Sequence, residues 1–223
     1  MAGYSSDDAY QSEIAGEWQG WTDAVDAVCR APSDSNSLPS DSEVIGAVFR
    51  ACPAETFVVG ASGSMPGELH KLWQVGAVDG YHMEFGFSCM GYEIAGAWGA
   101  RIAQCEIEPA QDTITFCGDG SYLMLNSDIY SSVLSNKKII ALVLDNGGFA
   151  VINKLQNNTG NESFNNLIAD CPTVAEPFAV DFAAHAASMG AVGAKLSSTP
   201  KSSEPLPAKL PTKMQSTKRD TAN

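Results

Sequence analysis

The stretches TITFCGDG, residues 113–120, and KKIIALVLDNGG, residues 137–148, decide the fold. Each carries a run of β-branched and apolar residues and closes on glycine beside an oxygen-bearing side chain, as a buried strand does where it runs into a loop. Between them SYLMLNSDIYSSVLSN, 121–136, reads as helical, so the three form a strand, helix, strand unit. Asp119 and Asn146 stand 27 residues apart. That is one crossover's length, and it brings both side chains to the same edge of a parallel sheet.

Working outward, the same alternation continues. TFVVGAS, 56–62, has a buried-strand pattern; PGELHKLWQ, 66–74, is helical; MGYEIAGAWGARIAQ, 90–104, is a small-residue helix; PFAVDFAAHAASMG, 177–190, is a further helix. Strands alternating with helices predict an α/β fold, a doubly wound and mostly parallel sheet with helices on both faces. Ligands then gather at the carboxyl ends of the strands. Toward the N-terminus, Asp8 to Cys29 forms an amphipathic helix carrying Trp18, Trp21, Val25 and Val28, followed by the polar linker APSDSNSLPSD. Ser40 and Glu43 have capping-box spacing, so a second helix starts there and the domain spans 40–197, after a helix and linker at 1–39. Residues 198–223 hold five basic against two acidic residues, four prolines and few large apolar groups. They read as a disordered, basic, Pro-rich tail, either a solvated extension or an interaction arm.

The 223 residues include 26 acidic and 13 basic ones, a net charge of −13. That excess argues against nucleic acid or an anionic membrane as partner. With 44% hydrophobic and 17% charged residues, the chain has the composition of a globular protein with a real core. No apolar run reaches bilayer length and the N-terminus is polar, so the expected location is the cytoplasm. Six scattered cysteines without a CxxC pair read as reduced, packed thiols.

A carboxylate, an amide oxygen and a backbone carbonyl suit Mg²⁺, a hard cation that completes its shell with phosphate oxygens and water. Gly118 and Gly120 let the backbone approach a diphosphate, and a helix starting at Ser121 offers free N–H groups to it. A glycine-flanked aspartate alone is ordinary turn chemistry. GDG closing a strand, a helix, an apolar strand and then DNGG is more specific, and this combination resembles the magnesium-diphosphate motif of thiamine diphosphate enzymes.

The resemblance reaches further along the chain. CMGYEIAGAWGARIAQ is similar to the family segment in which an apolar side chain wedges under the cofactor, and Met90 matches that position. PGELHKLW is similar to a segment whose histidine, three residues before a tryptophan, helps hold the diphosphate; His70 precedes Trp73 by three. Together with SDSEVIGAVFRAC, GSMPGELHKLW, GYHMEFGFSCMGYEIAGAWGARIA, GDGSYLMLNSDIYSSV and FAAHAASMGA, the likeness covers about residues 40 to 193. It points to an inositol-catabolic branch that hydrolyses a C–C bond of a cyclic dione to give 5-deoxyglucuronate. The resemblance implies Asp119, Asn146 and the carbonyl of Gly148 as Mg²⁺ ligands. It implies His70, Ser88, Met90, Gly118, Gly120, Ser121 and Gly147 as cofactor contacts, and His70, His82 and Glu84 as acid/base candidates. For His82 and Glu84 a hydrogen-bonded loop pair is the alternative, and His82, Glu84 and Gly86 also fit one side of a short strand. His185 reads as packed or surface.

Two departures shape the expectation. The family's activating glutamate lies in a separate pyrimidine-binding domain that these residues do not contain. The resemblance therefore implies that domain or subunit in trans, a homo-oligomer and a small-molecule substrate. The alternatives are the small subunit of a two-chain thiamine diphosphate decarboxylase or synthase, and a non-catalytic remnant. After AVGAKL, 191–196, the matching pattern stops, which implies that the last sheet elements are missing.

Overall fold

A computed structural model describes residues 5–30, 38–107, 110–171 and 179–196. The chain runs through α1 (Asp8–Arg30), α2 (Asp41–Ala51), β1 (Phe57–Gly60), α3 (Ser64–Leu72), β2 (Tyr81–Met83) and α4 (Tyr92–Ile107). It continues through β3 (Thr113–Gly118), α5 (Asp119–Met124), α6 (Asp128–Leu134), β4 (Ile140–Leu144), α7 (Ala150–Asn158), a 3-10 turn (Ile168–Asp170) and α8 (Phe182–Ser188). The tail from residue 198 lies outside the described residues.

The four strands pair in the order β2-β1-β3-β4 and every pairing is parallel. Register sorts the side chains onto two faces, because residues in register point the same way and successive residues point oppositely. Val58, Ile114 and Ile140 are partners across β1, β3 and β4. With Phe116 and Leu142 they meet Ile45 and Val48 of α2 and Met65 and Leu69 of α3. The alternate residues Cys117, Ala141 and Val143 face the opposite layer, where they meet Ile94 of α4, Ile129 of α6 and Phe182 of α8. The expected doubly wound, parallel architecture is therefore present. Ile45, Val58, Leu69 and Phe116 are fully buried, and each such side chain stabilises the fold by about 1.5–3 kcal/mol relative to exposure.

Local signals account for the elements. Ser40 accepts a hydrogen bond from the Glu43 amide at 3.3 Å, and Glu43 Oε2 accepts one from the Ser40 amide at 2.7 Å, which completes the capping box. The α1 helix is present, but among its residues only Val25 and Cys29 are buried. Its last turns lie on α2 so closely that a Cβ on Gly46 would sit 2.5 Å from Cys29 Cβ. Trp18 and Trp21 are more than half exposed.

Three details differ from the sequence reading. The stretch 121–136 is two helices, because Leu125 leaves the helical region at φ −152° and ψ 85°. The polar residues after it make local hydrogen bonds instead: Asn126 Nδ2 donates to the Tyr122 carbonyl at 3.1 Å, and the Asn126 carbonyl accepts from the Ile129 amide. The short strand that His82, Glu84 and Gly86 suggest is present as β2 but ends at Met83, so Glu84 and Gly86 lie in the loop after it, and among the described residues its outer edge carries no strand. Helix α7 has no counterpart in the sequence reading, although Val151, Ile152 and Leu155 of AVINKLQNN stand at helical spacing; it buries none of its residues fully. None of the six cysteines is in a disulfide, and among the described residues no helix is long and apolar enough to cross a membrane.

Candidate functional site

Strands β3 and β4 end side by side, Gly118 opposite Leu144, so the loops that follow start as neighbours. Asp119 opens α5 and is 3% exposed. The backbone N–H groups of Gly120, Gly148 and Asn146 around its carboxylate favour the charged form. Burial outweighs them and, with the nearby Asp145 charge, raises the Asp119 pKa. Such a carboxylate gains from a counter-charge.

The Asn146 amide shows what kind. With its nitrogen on Ser64 Oγ at 3.3 Å, its oxygen faces Asp119 Oδ1 at 3.1 Å and the Gly148 carbonyl at 2.9 Å. Turned over, its nitrogen donates to both of those oxygens and its oxygen accepts from Ser64. An octahedral ion with oxygens at about 2.0–2.1 Å sets adjacent ligand oxygens about 2.9 Å apart. The Asn146 amide is thus within 3.1 Å of both other oxygens, close to the spacing of neighbouring positions in such a shell, and in its hydrogen-bonded orientation it bridges them. Gly148 has φ +135°, and its carbonyl is fixed by a loop in which the Phe149 amide donates to Asn166 and the Ile168 amide to the Gly147 carbonyl. Among the described residues no group of three or more His, Cys, Asp and Glu is placed to hold a metal; this set has one carboxylate and two neutral oxygens.

A cleft opens beside these oxygens, lined by Ser62, Ser64, Met90, Gly120, Ser121 and Phe149, with the first residues of α7. The N-terminal ends of α3, α5 and α7 thus face one space. Their free N–H groups and positive dipole ends suit an anion such as a diphosphate. Met90, Gly118, Gly120, Ser121, Asn146 and Gly148 all line this cleft. Gly147, at φ +78°, belongs to the adjoining loop, and its amide donates to Asp145 Oδ1 at 3.1 Å.

His70, His82, Glu84 and Ser88 gather elsewhere, around β2 and the loop after it. His70 is exposed and stacks on Phe85 with ring centroids 6.1 Å apart. Glu84 accepts the Cys89 amide at 2.8 Å and the Phe87 amide at 3.0 Å, which hold its carboxyl below the usual carboxylate range. Ser88, at φ +52°, donates from Oγ to the Phe85 carbonyl within this loop. His82 pairs through Nε2 with the Tyr92 hydroxyl at 2.8 Å. Strand β2 is two strands away from β3, about 10 Å along the sheet.

Several residues of the site escape the sequence reading. Ser64 touches Asn146, and Asp145 adds charge near Asp119. Glu93 is wholly buried; its Oε2 accepts from the Gly91 amide at 2.9 Å and from Ser121 Oγ at 2.7 Å. Burial raises its pKa. A glutamate within the small-residue helix beside Met90 is a visible signal, since an acidic side chain has little reason to sit in an otherwise apolar turn. His185 is half-buried and pairs through Nδ1 with the Tyr122 hydroxyl at 2.9 Å.

Comparison with known proteins defines the class. The family model described as "Thiamine pyrophosphate enzyme, C-terminal TPP binding domain" matches residues 61–218. The chain belongs to this family of thiamine pyrophosphate enzymes, through their C-terminal TPP-binding domain. It is 41% identical over 156 residues to a Bacillus cereus protein, 3D-(3,5/4)-trihydroxycyclohexane-1,2-dione hydrolase 1, covering 70% of this chain and 22% of that protein. It is 43% identical over 121 residues to the Clostridium botulinum (strain Eklund 17B / Type B) 3D-(3,5/4)-trihydroxycyclohexane-1,2-dione hydrolase, covering 54% of this chain and 18% of the relative. The chain thus spans about a fifth of the length of these relatives. In fold it is similar to benzoylformate decarboxylase from Polynucleobacter necessarius, with a TM-score of 0.64 at 18% identity over 76% of this chain and 30% of that one. The Rhodococcus jostii RHA1 thiamine diphosphate-dependent 4-hydroxybenzoylformate decarboxylase gives the same TM-score at 16% identity and the same coverage.

Proposed function

We propose that this chain is the diphosphate-binding portion of a thiamine diphosphate- and Mg²⁺-dependent hydrolase that opens a cyclic trihydroxy-dione to 5-deoxyglucuronate. The observation that carries the reading is the meeting of Asp119 Oδ1, the Asn146 amide and the Gly148 carbonyl within 3.1 Å at the mouth of the cleft. The names of the relatives support the substrate class. Asp119, Asn146 and the Gly148 carbonyl would hold Mg²⁺. Gly118, Gly120, Ser121 and Gly147 would present backbone to the diphosphate, with Met90 flanking the cofactor and His70 and Ser88 at the β2 side.

When bound, the cofactor supplies a carbanion nucleophile for a ring ketone. The residues of this chain orient it and handle protons. The helix ends around the cleft offset the diphosphate charge, and the buried Asp119 carboxylate balances the cation. His70 and His82 would exchange protons with the substrate, and the ionised Glu84 would act through the loop it ties. The activating glutamate would come from a pyrimidine-binding domain supplied in trans, in a cytoplasmic homo-oligomer.

Calorimetric titration with thiamine diphosphate tests the reading. Binding that requires Mg²⁺ and tightens with an added pyrimidine-binding domain from a related hydrolase is the expected result. No binding by folded protein with or without Mg²⁺ would overturn it. Ring opening of the trihydroxycyclohexanedione by the combined domains tests the substrate class.

A further inference from the structure

Tyr92 opens α4 two residues after Met90, which lines the cleft. Its ring lies flush against its own helix: a Cβ on Gly96 would come within 2.4 Å of Tyr92 Cε1. Glycine at 96 is therefore what gives the ring its place. Across from it, β2 pairs His82 with Val59, which turns the imidazole toward the α4 layer. The two rings meet with centroids 5.7 Å apart and a tilt of 45°, and Tyr92 Oη lies 2.8 Å from His82 Nε2.

The contact has two possible directions, since Tyr92 Oη and a neutral His82 Nε2 can each donate or accept. Among the described residues His82 Nε2 is the one acceptor within reach of the half-buried Tyr92 Oη, which favours donation by the phenol. The phenol then donates and Nε2 accepts. A neutral imidazole that accepts at Nε2 carries its proton on Nδ1. Among the described residues nothing hydrogen-bonds Nδ1, and His82 is exposed.

We propose that Tyr92 is a positioning residue for His82, holding it as the Nδ1–H tautomer so that this N–H is an outward-facing donor to an oxygen of a ketone or polyol ligand. The inference rests on the functional reading for its ligand class, but not for its geometry. It deepens that reading by giving His82 one defined role, a hydrogen-bond donor to a neutral, oxygen-rich ring. A carboxylate or phosphate is not needed to explain the arrangement.

The tautomer is directly measurable in the full chain. Long-range proton–nitrogen correlation spectra of protein labelled with ¹⁵N-histidine, recorded at alkaline pH without cofactor, distinguish Nδ1–H from Nε2–H. The chain has three histidines, and H82Q assigns the signal. The expected result is Nδ1–H in the parent protein and a change to Nε2–H in Y92F. G96A, which displaces the ring, should give the same change. An Nε2–H imidazole in the parent protein, or the same tautomer in parent and Y92F, would overturn the proposal. If Y92F does not fold, the parent spectrum alone decides. Cyclohexane-1,2-dione serves as the ligand probe: its affinity should fall about tenfold in Y92F, the value of one hydrogen bond of about 1.4 kcal/mol. Unchanged affinity would overturn the ligand part. Because the spectra are taken without cofactor, failure of the cofactor reading appears separately, in the titration with thiamine diphosphate.

Discussion

The side-chain amide of Asn146 lies 3.1 Å from Asp119 Oδ1, although 27 residues and a helix-bearing crossover separate them. The contact follows from strand order and register, and it sets the most direct prediction.

Asp119→Ala removes the single carboxylate of the oxygen set. Mg²⁺-dependent binding of thiamine diphosphate should weaken by more than about a hundredfold, beyond what loss of an outer-shell group causes. Because burial raises the Asp119 pKa, protons compete with the cation at a higher pH than for an exposed carboxylate. On acidification, Mg²⁺ affinity should therefore fall at a higher pH than an exposed carboxylate would give. Calorimetric titrations across pH check both statements, and affinity that stays flat down to strongly acidic pH would contradict the second.

Glu93 gives a pH dependence to the fold itself. Its pKa is raised from an ordinary value of 4.5 by burial, so the folded chain holds the proton more tightly than the unfolded one. The resulting stabilisation is fully present below the unfolded value and is lost as pH rises through the folded one. Glu93→Gln should flatten this dependence while keeping an acceptor for Ser121 and Gly91. Glu93→Ala should cost roughly 1–3 kcal/mol by stranding those donors. Urea unfolding at pH 5 and pH 8 separates the outcomes.

Gly148→Ala would place a Cβ 2.5 Å from the Asn166 carbonyl, at a backbone φ of +135°. The expected cost is at least about 1–3 kcal/mol, with loss of Mg²⁺-dependent binding because the Gly148 carbonyl moves. Equilibrium unfolding and titration of the same variant measure the two effects together.

Ser40→Ala removes one half of the capping box at the start of α2. It should lower stability by about 1 kcal/mol and leave cofactor affinity unchanged, since Ser40 lies outside the cleft. Thermal unfolding with a parallel titration shows whether the two quantities separate.

Much of this architecture is written in local pattern. The apolar run of 139–144 and the β-branched, apolar stretch of 113–118 read as strands, β3 buried on both faces and β4 partly buried, and Ser40 with Glu43 announces α2 by cap chemistry. Asp119 and Asn146 are legible because glycine-flanked oxygen ligands at strand ends have few other uses in combination. What stays hidden depends on partners distant in sequence. Strand β2 is held by pairing with β1 rather than by its own three residues. Ser64 matters only because β4 delivers Asn146 to it, and α7 is a short segment that buries no residue fully. The clustering of His70, His82, Glu84 and Ser88 away from the Asp119 cleft likewise follows from sheet order, which no single segment encodes.

The pairing of Gly118 with Leu144 has one more consequence, for how the chain reaches its native state. A slip of β4 along β3 by a single residue would exchange Ala141 and Val143 with Leu142 and Leu144 between the two layers. Both faces of β4 are apolar, so hydrophobicity alone discriminates weakly between these alignments. The slip would also carry Asn146 and the Gly148 carbonyl about 3.3 Å from their places beside Asp119, too far for one cation to bridge. A cation bound there would favour the correct alignment over its neighbours, so that Mg²⁺ present during refolding would act as a proofreader of strand pairing.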